Sequence, residues 1–196
     1  MKCSRCGNDA VIVQEYAGVA LCPRHAAADI EAKAKREVRK CGGISSGEKL
    51  FVGEGGSAES HALSNLLSVI LAGRRDVTFV TDTAFATAVV TADTLDDIAE
   101  HLLSLVCLGN TTDLLETPEK KTIRPLSTIP RTEVYFYASH HGWVGGSSAG
   151  KTSTFSSDIA AFLKTFSVGH PSAAYALKRI ADQLPELYLE RHNHAV

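Results

Sequence analysis

The chain has 196 residues, 44% of them hydrophobic and 21% charged, with a formal net charge of −2. These values exclude a disordered or fibrous polymer and a protein that coats nucleic acid by bulk charge, so any RNA contact must come from a local basic patch. No apolar run reaches the ~18 residues of a membrane helix, and the opening MKCSRCG has neither a signal core nor a transit pattern, so the expected location is cytoplasmic, away from membrane.

The five cysteines are an odd number, and without a secretory signal they point to metal or free thiols rather than disulfides. Cys3 and Cys6 form one tight pair, and Cys22 and His25 a second. Each pair can place two ligands within about 4 Å around a tetrahedral ion. Between the pairs, Val11-Ile12-Val13 and Val19-Ala20-Leu21 flank Ala17-Gly18, which predicts a β-hairpin that returns the second pair to the first. A module this small lacks a core of its own, so metal would supply its folding energy. Four protein ligands leave no open position, so the expected ion is a structural zinc. The bland alternative is scattered core cysteines.

From Ala26 the pattern becomes helical and strongly basic, with Lys33, Lys35, Arg36, Arg39 and Lys40 in one stretch. One reading is a solvated helix face, with cations favoured near a helix C-terminus. The other is a stripe that contacts RNA phosphates. Gly42-Gly43 ends this segment.

Lys49 to Gly53 then predicts a strand, and Ala58 to Ala72 a helix with an apolar stripe at Ala62, Leu63, Leu66, Leu67, Ile70 and Leu71. Strands follow at Val77–Val80 and Ala86–Thr91. A helix follows at Asp93–Leu108, with Leu95, Ile98, Leu102, Leu105 and Val106 inward and Cys107 a core thiol. Strand–helix–strand order implies a parallel α/β sheet, whose ligands sit at the carboxyl ends of strands, here Gly53–Ser60 and Thr91–Asp97. Asn110–Lys121 reads as a polar connection, and Arg131–His141, Ser157–Phe166 and Ala173–Leu184 as helices. A Walker-like GKT in the Gly145–Thr152 stretch follows a helical segment rather than a strand, so the match reads as coincidence. The expected organisation is a metal-binding hairpin and basic helix over 1–41, an α/β domain over 42–187 and a tail over 188–196.

Taken in order, CxxC…CxxH, the basic helix, GEKLFVGEGGSAES, TADTLDDIAEHLL, LGN and IRPLSTIPRTEVYFYASHHG resemble the PP-loop tRNA 2-thiolation proteins, the TtuA and cytosolic thiouridylase group. The resemblance implies a truncated adenine-nucleotide alpha-hydrolase-like (HUP-type) parallel sheet with flanking helices. Active members adenylate the wobble uridine at C2 and replace its oxygen with sulfur. Their SGGKDS loop corresponds here to Glu54 through Ser60, so the resemblance places a vestigial nucleotide site at Gly55, Gly56, Ser57 and Ser60, with Asp96 from the GHNLDD-like Ala92–Asp97.

The departures are as specific as the matches. Ser57-Ala58 stands where the phosphate-binding lysine belongs, while Glu54 and Glu59 add negative charge. A carboxylate beside a phosphate adds repulsion of roughly 1 kcal/mol per charge pair near 4 Å in water. This argues against ATP. The segment carrying two of the relatives' three site cysteines is replaced by the direct link Thr81–Phe85, and Val144–Ser157 holds no third cysteine, so no iron–sulfur cluster is expected. His192 and His194 read as tail residues. The resemblance therefore points to a degenerate, non-catalytic member of the cytosolic thiouridylase subunit 2 type. Its expected partners are an active PP-loop thiolase subunit and tRNA. The rival reading is a divergent adenylating enzyme in which Arg124 or Lys151 replaces the lost cation.

Overall fold

The structure, a computed structural model, describes residues 1–53, 55–110, 115, 118–145 and 154–193, with side chains up to 185. Glu54, Lys151, His194 and most of the GKT stretch lie outside the described residues, as does the His192 side chain. The chain forms two compact units, one of residues 1–94 with 120–148 and the other of 95–119 with 149–196.

In the first unit, β1 (Ile12–Gln14) and β2 (Val19–Leu21) pair as an antiparallel hairpin, Ile12 opposite Leu21. Gly18 makes the turn at φ +65°, a conformation that a side chain resists. Helix α1 (Pro23–Lys40) starts where Pro23 can sit without losing a needed N–H. It buries Ala26, Ala27, Ile30, Ala34 and Val38, one stripe at helical spacing. Its end is a Schellman motif. Gly43 N–H bonds Val38 C=O at 2.9 Å and Gly42 N–H bonds Arg39 C=O at 3.1 Å, with both glycines at positive φ.

Four parallel strands follow: β3 (Lys49–Val52), β4 (Thr78–Val80), β5 (Ala88–Val90) and β6 (Lys121–Ile123), in spatial order β4-β3-β5-β6. Helix α2 (Ala58–Ile70) buries Ala58, Ala62, Leu63, Leu66 and Leu67, and α4 (Arg131–His140) buries Val134, Tyr137 and Ala138. These side chains join those of α1 and the inward strand residues Leu50, Ala88, Val90 and Ile123 in one core. The predicted parallel sheet is present.

Strand β6 begins at the last residue of the expected polar connection, Asn110–Lys121, and its other two residues belong to no expected element. Three residues, Lys-Thr-Ile, are too few to carry a period, and only the sheet edge selects them. The link from β4 to β5 is as short as the sequence indicates. It is a 3₁₀ turn (Thr83–Phe85) capped by Asp82, whose Oδ1 accepts from Ala84 N–H at 2.8 Å. Strands of three residues are only about 10 Å long, so a few residues bridge the return without a crossover helix. Lys120 Nζ secures the turn by donating to the carbonyls of Thr83 and Ala84.

The hairpin is held to the rest of the unit by a buried polar network. Lys33 Nζ lies 2.9 Å from Asp29 and 3.1 Å from Glu133, and donates to Tyr16 OH at 2.5 Å. Gln14 donates to Asp29 (2.9 Å) and Glu133 (3.1 Å), and Tyr16 OH donates to Glu133 at 2.6 Å. Burial works against the Asp29 carboxylate, but bonds from Gln14 and Lys33 and the charges of Lys33 and Arg5 outweigh it and hold it below the usual range.

The second unit packs α3 (Leu95–Leu108), α5 (Thr154–Gly169) and α6 (Ala173–Asn193) around Ala99, Ile159 and Leu163. Two expectations change here. Cys107 is exposed rather than a core thiol, and Val106 is 52% exposed, because the stripe of α3 runs through Leu95, Ala99, Leu102 and Leu105. Helix α6 also continues through Pro185 to Asn193, where a break and a tail were expected. A single proline removes one helical bond and kinks a helix without always ending it.

Removing Lys33 leaves the buried Glu133 carboxylate without its cation, while Asp29 keeps only the more exposed Arg5. Lys33→Ala is expected to cost about 3 kcal/mol in urea unfolding of the metal-loaded protein. A change within ~0.5 kcal/mol, the range of ordinary surface substitutions, would show that the network does not anchor the hairpin.

Candidate functional site

The tight turn after Lys2, where Cys3 N–H bonds Asn8 C=O at 2.7 Å, and the N-terminus of α1 bring Cys3, Cys6, Cys22 and His25 together. Their donor atoms all lie within 4.8 Å of one another. Cys3 Sγ and Cys22 Sγ each stand 3.4 Å from His25 Nδ1, and Cys6 Sγ is 3.7 Å from Cys22 Sγ. A tetrahedral ion with ~2.3 Å bonds to sulfur separates its ligands by about 3.8 Å, so the donors already stand at the edges of a metal polyhedron.

The titration behaviour of the thiols agrees. Burial disfavours the Cys3 thiolate, yet the Arg5 and Cys22 backbone N–H groups, the His25 ring and the Cys6 backbone N–H hold it down at about 5. Cys6 is pushed up. The Asn8 backbone favours its thiolate, but burial and the neighbouring thiols of Cys22 and Cys3 prevail. Several thiolates at this spacing need a cation to coexist. The cluster is a metal-binding site, and its four donors leave the protein no further ligand to add.

At the carboxyl end of β3, the glycine turn leads into α2. Ser57 caps the helix with its own side chain, its Oγ accepting from Ser60 N–H at 3.2 Å and lying 3.3 Å from Ser60 Oγ. Glu59 occupies the first turn. A Cβ on Gly55 would come within 2.4 Å of Ser60 Oγ, so glycine is what lets the turn fold over the serine. The helix N-terminus that would cradle a phosphate is thus already served by an internal oxygen and shadowed by a carboxylate.

Beside this turn, the ends of β3 and β4 enclose a cavity of about 430 Å³ lined by Phe51, Val52, Phe79, Val80 and Thr81. Among the described residues its lining is mostly apolar and includes no basic side chain. At the ends of β5 and β6, Asp93 accepts from Thr91 Oγ1 at 2.7 Å and pairs with Arg124 at 3.5 Å, both charged side chains about half exposed. Asp96 belongs to the first turn of α3, in the second unit.

The basic stretch of α1 divides. Lys33 points into the unit and is only 16% exposed, so it leaves the set of RNA-facing residues. Lys40 is exposed but pairs with the buried Glu37 at 2.7 Å. Lys35 is half-buried, and Arg36 and Arg39 are exposed. Sequence reasoning missed Arg74 and Arg75, whose only signal was an adjacent arginine pair just after an apolar helical stripe.

Comparison with known proteins fits this arrangement. Residues 2–25 match the family described as the 2-thiouridine synthetase TtuA, N-terminal LIM domain. The structure is similar to that of the U34-tRNA thiolase NcsA from Methanococcus maripaludis with its [4Fe-4S] cluster. The TM-score is 0.80 at 16% identity, over 95% of this chain and 87% of that one. The chain thus shares its fold with that protein, and its first residues are similar to the N-terminal LIM domain of that synthetase family. No curated protein matches the chain by sequence. Among the described residues, no helix is long and apolar enough to cross a membrane.

The comparison overturns one expectation. The absence of an iron–sulfur cluster was inferred because the relatives' later cysteines are missing. The thiolase fold is here shared with a protein that carries a [4Fe-4S] cluster, and the N-terminal thiolate-rich set is of a donor type compatible with iron–sulfur binding. That expectation rests on the later motif segments alone, and the N-terminal set lies outside them.

Metal content of the purified protein, read by elemental analysis together with visible absorption, tests the centre. Cys22→Ala is expected to lower metal affinity by more than the roughly 10- to 100-fold that loss of an outer-shell partner costs, and bound metal with it. Unchanged metal in that variant would place the site elsewhere.

Proposed function

We propose that the chain is a non-catalytic subunit of a tRNA wobble-uridine 2-thiolation complex, pairing with an active PP-loop thiolase and assisting tRNA binding in the cytoplasm. The observation that carries this reading is the turn before α2. A thiolase must hold the triphosphate of ATP through the adenylation step, and that takes free backbone N–H groups and a cation. In this turn Ser57 takes the Ser60 N–H and Glu59 brings negative charge, while no lysine or arginine stands between Gly53 and Ser60. At the ends of β5 and β6, Arg124 is paired with Asp93.

Three further features support the reading. The N-terminal domain matches that of a thiouridine synthetase, the fold is that of a tRNA thiolase, and Arg36 and Arg39 present exposed positive charge on α1. A subunit that has given up nucleotide chemistry can keep the surfaces that hold substrate and partner.

A second reading is a divergent ATP-dependent tRNA-modifying enzyme. The apolar cavity beside the glycine turn favours it, because such a cavity suits a nucleotide base, with Arg124 exchanging Asp93 for phosphate.

Calorimetric titration with magnesium and ATP separates the two. The non-catalytic reading expects binding weaker than ~1 mM, about −4 kcal/mol. Micromolar binding that is lost in Arg124→Ala would establish the enzyme instead. Co-purification from the native organism is expected to bring down a thiolase with an intact SGGKDS loop together with tRNA, and recovery of neither removes the subunit reading.

A further inference from the structure

A groove runs between the C-terminal parts of α1 and α2, away from both the metal centre and the strand ends. Its volume is about 380 Å³, within the range of small-ligand sites. The floor is aliphatic, formed among others by Val38, Ile44 and Ile70, and Lys35, Arg39 and Arg74 stand at its rim.

The rim cations differ in how they are used. Arg74 is fixed: its guanidinium donates to the carbonyls of Ile44 (2.6 Å) and Ser45 (3.0 Å) and forms a two-point pair with Asp76 at 2.6 and 3.0 Å. It shapes the wall, and Asp76 cancels its charge. Among the described residues, Lys35 and Arg39 have no ion-pair partner. Nor are they needed to cap α1, because Gly42 and Gly43 already satisfy its last carbonyls. Arg75, exposed next to Arg74, is likewise without a partner among the described residues and extends the positive rim.

This combination selects a ligand. A duplex backbone offers phosphates alone and makes no use of an aliphatic floor. An acidic peptide would satisfy the cations, but it has no flat apolar face to fill a small cleft. An unpaired nucleotide offers both, a planar ring to lie on apolar side chains or beneath a guanidinium and a phosphate on either side for the cations. We propose that this groove receives one unpaired nucleotide of RNA, with the base on the floor and the flanking phosphates on Lys35 and Arg39. The proposal rests on the tRNA-binding reading above and gives it a location.

The test uses the full-length, metal-loaded chain and a tRNA transcript carrying 4-thiouridine. After irradiation, cross-links are expected in the peptides spanning residues 35–44 and 69–75, from a uridine in a loop rather than a stem. In parallel, Lys35→Ala with Arg39→Ala is expected to lower the slope of log affinity against log salt by about 0.7 to 0.9 for each contact. Arg36→Ala, on the same helix but outside the groove, is expected to change the slope by less than one contact.

Retention of tRNA binding with an unchanged slope in the double variant, or cross-links confined to other peptides, would overturn the groove and leave the subunit reading standing. Loss of binding to a partner thiolase at unchanged RNA affinity would make this a protein surface and also overturn it. No tRNA binding at all, by the chain alone or with a thiolase, would remove the underlying reading and the groove with it.

Discussion

The ammonium of Lys33 stands between two carboxylates, Asp29 one turn back on its own helix and Glu133 a hundred residues away on α4. The placement of the N-terminal module depends on that arrangement. A buried charge is tolerated only when opposite charge and hydrogen bonds surround it, and here Tyr16 and Gln14 from the hairpin complete the set. Electrostatics therefore does for the hairpin what a large apolar core does elsewhere, and the small apolar contact of Leu21, Ala26 and Phe136 fills in around it.

The same rule of compensation organises the rest of the first unit. Thiolates crowd at the N-terminus and are compatible only with a cation between them. At the strand ends the balance falls the other way. Asp93 takes up Arg124, Glu59 adds a further carboxylate in the first turn of α2, and that helix start is capped by its own serine. Among the described residues, Lys35 and Arg39 on α1 and Arg75 past the end of α2 carry positive charge without an ion-pair partner.

The legible parts of the chain were those with a local period or a local chemical spacing. The two ligand pairs, the hairpin between them, the apolar stripes of α1 and α2 and the parallel order of three strands all follow from neighbours in sequence. What was missed lay in long-range pairing. Strand β6 has three residues and exists because β5 offers it an edge. Lys33 reads like its basic neighbours until Glu133 is placed against it. Val106 and Cys107 were assigned inward by apolar character alone, although the helix has only one buried stripe and Ala99 takes part in it. The resemblance gave the fold. It misled on iron and sulfur, because it directed attention to motif positions rather than to every thiolate in the chain.

The anchoring carboxylate of Glu133 also fixes an order of events during synthesis. The thiols and the imidazole leave the ribosome within the first 25 residues, whereas the group that clamps their hairpin follows more than a hundred residues later. For that interval the nascent segment carries reactive sulfur with no docking site. An ion captured at that stage would gather those sulfurs around itself before the scaffold arrives to receive them.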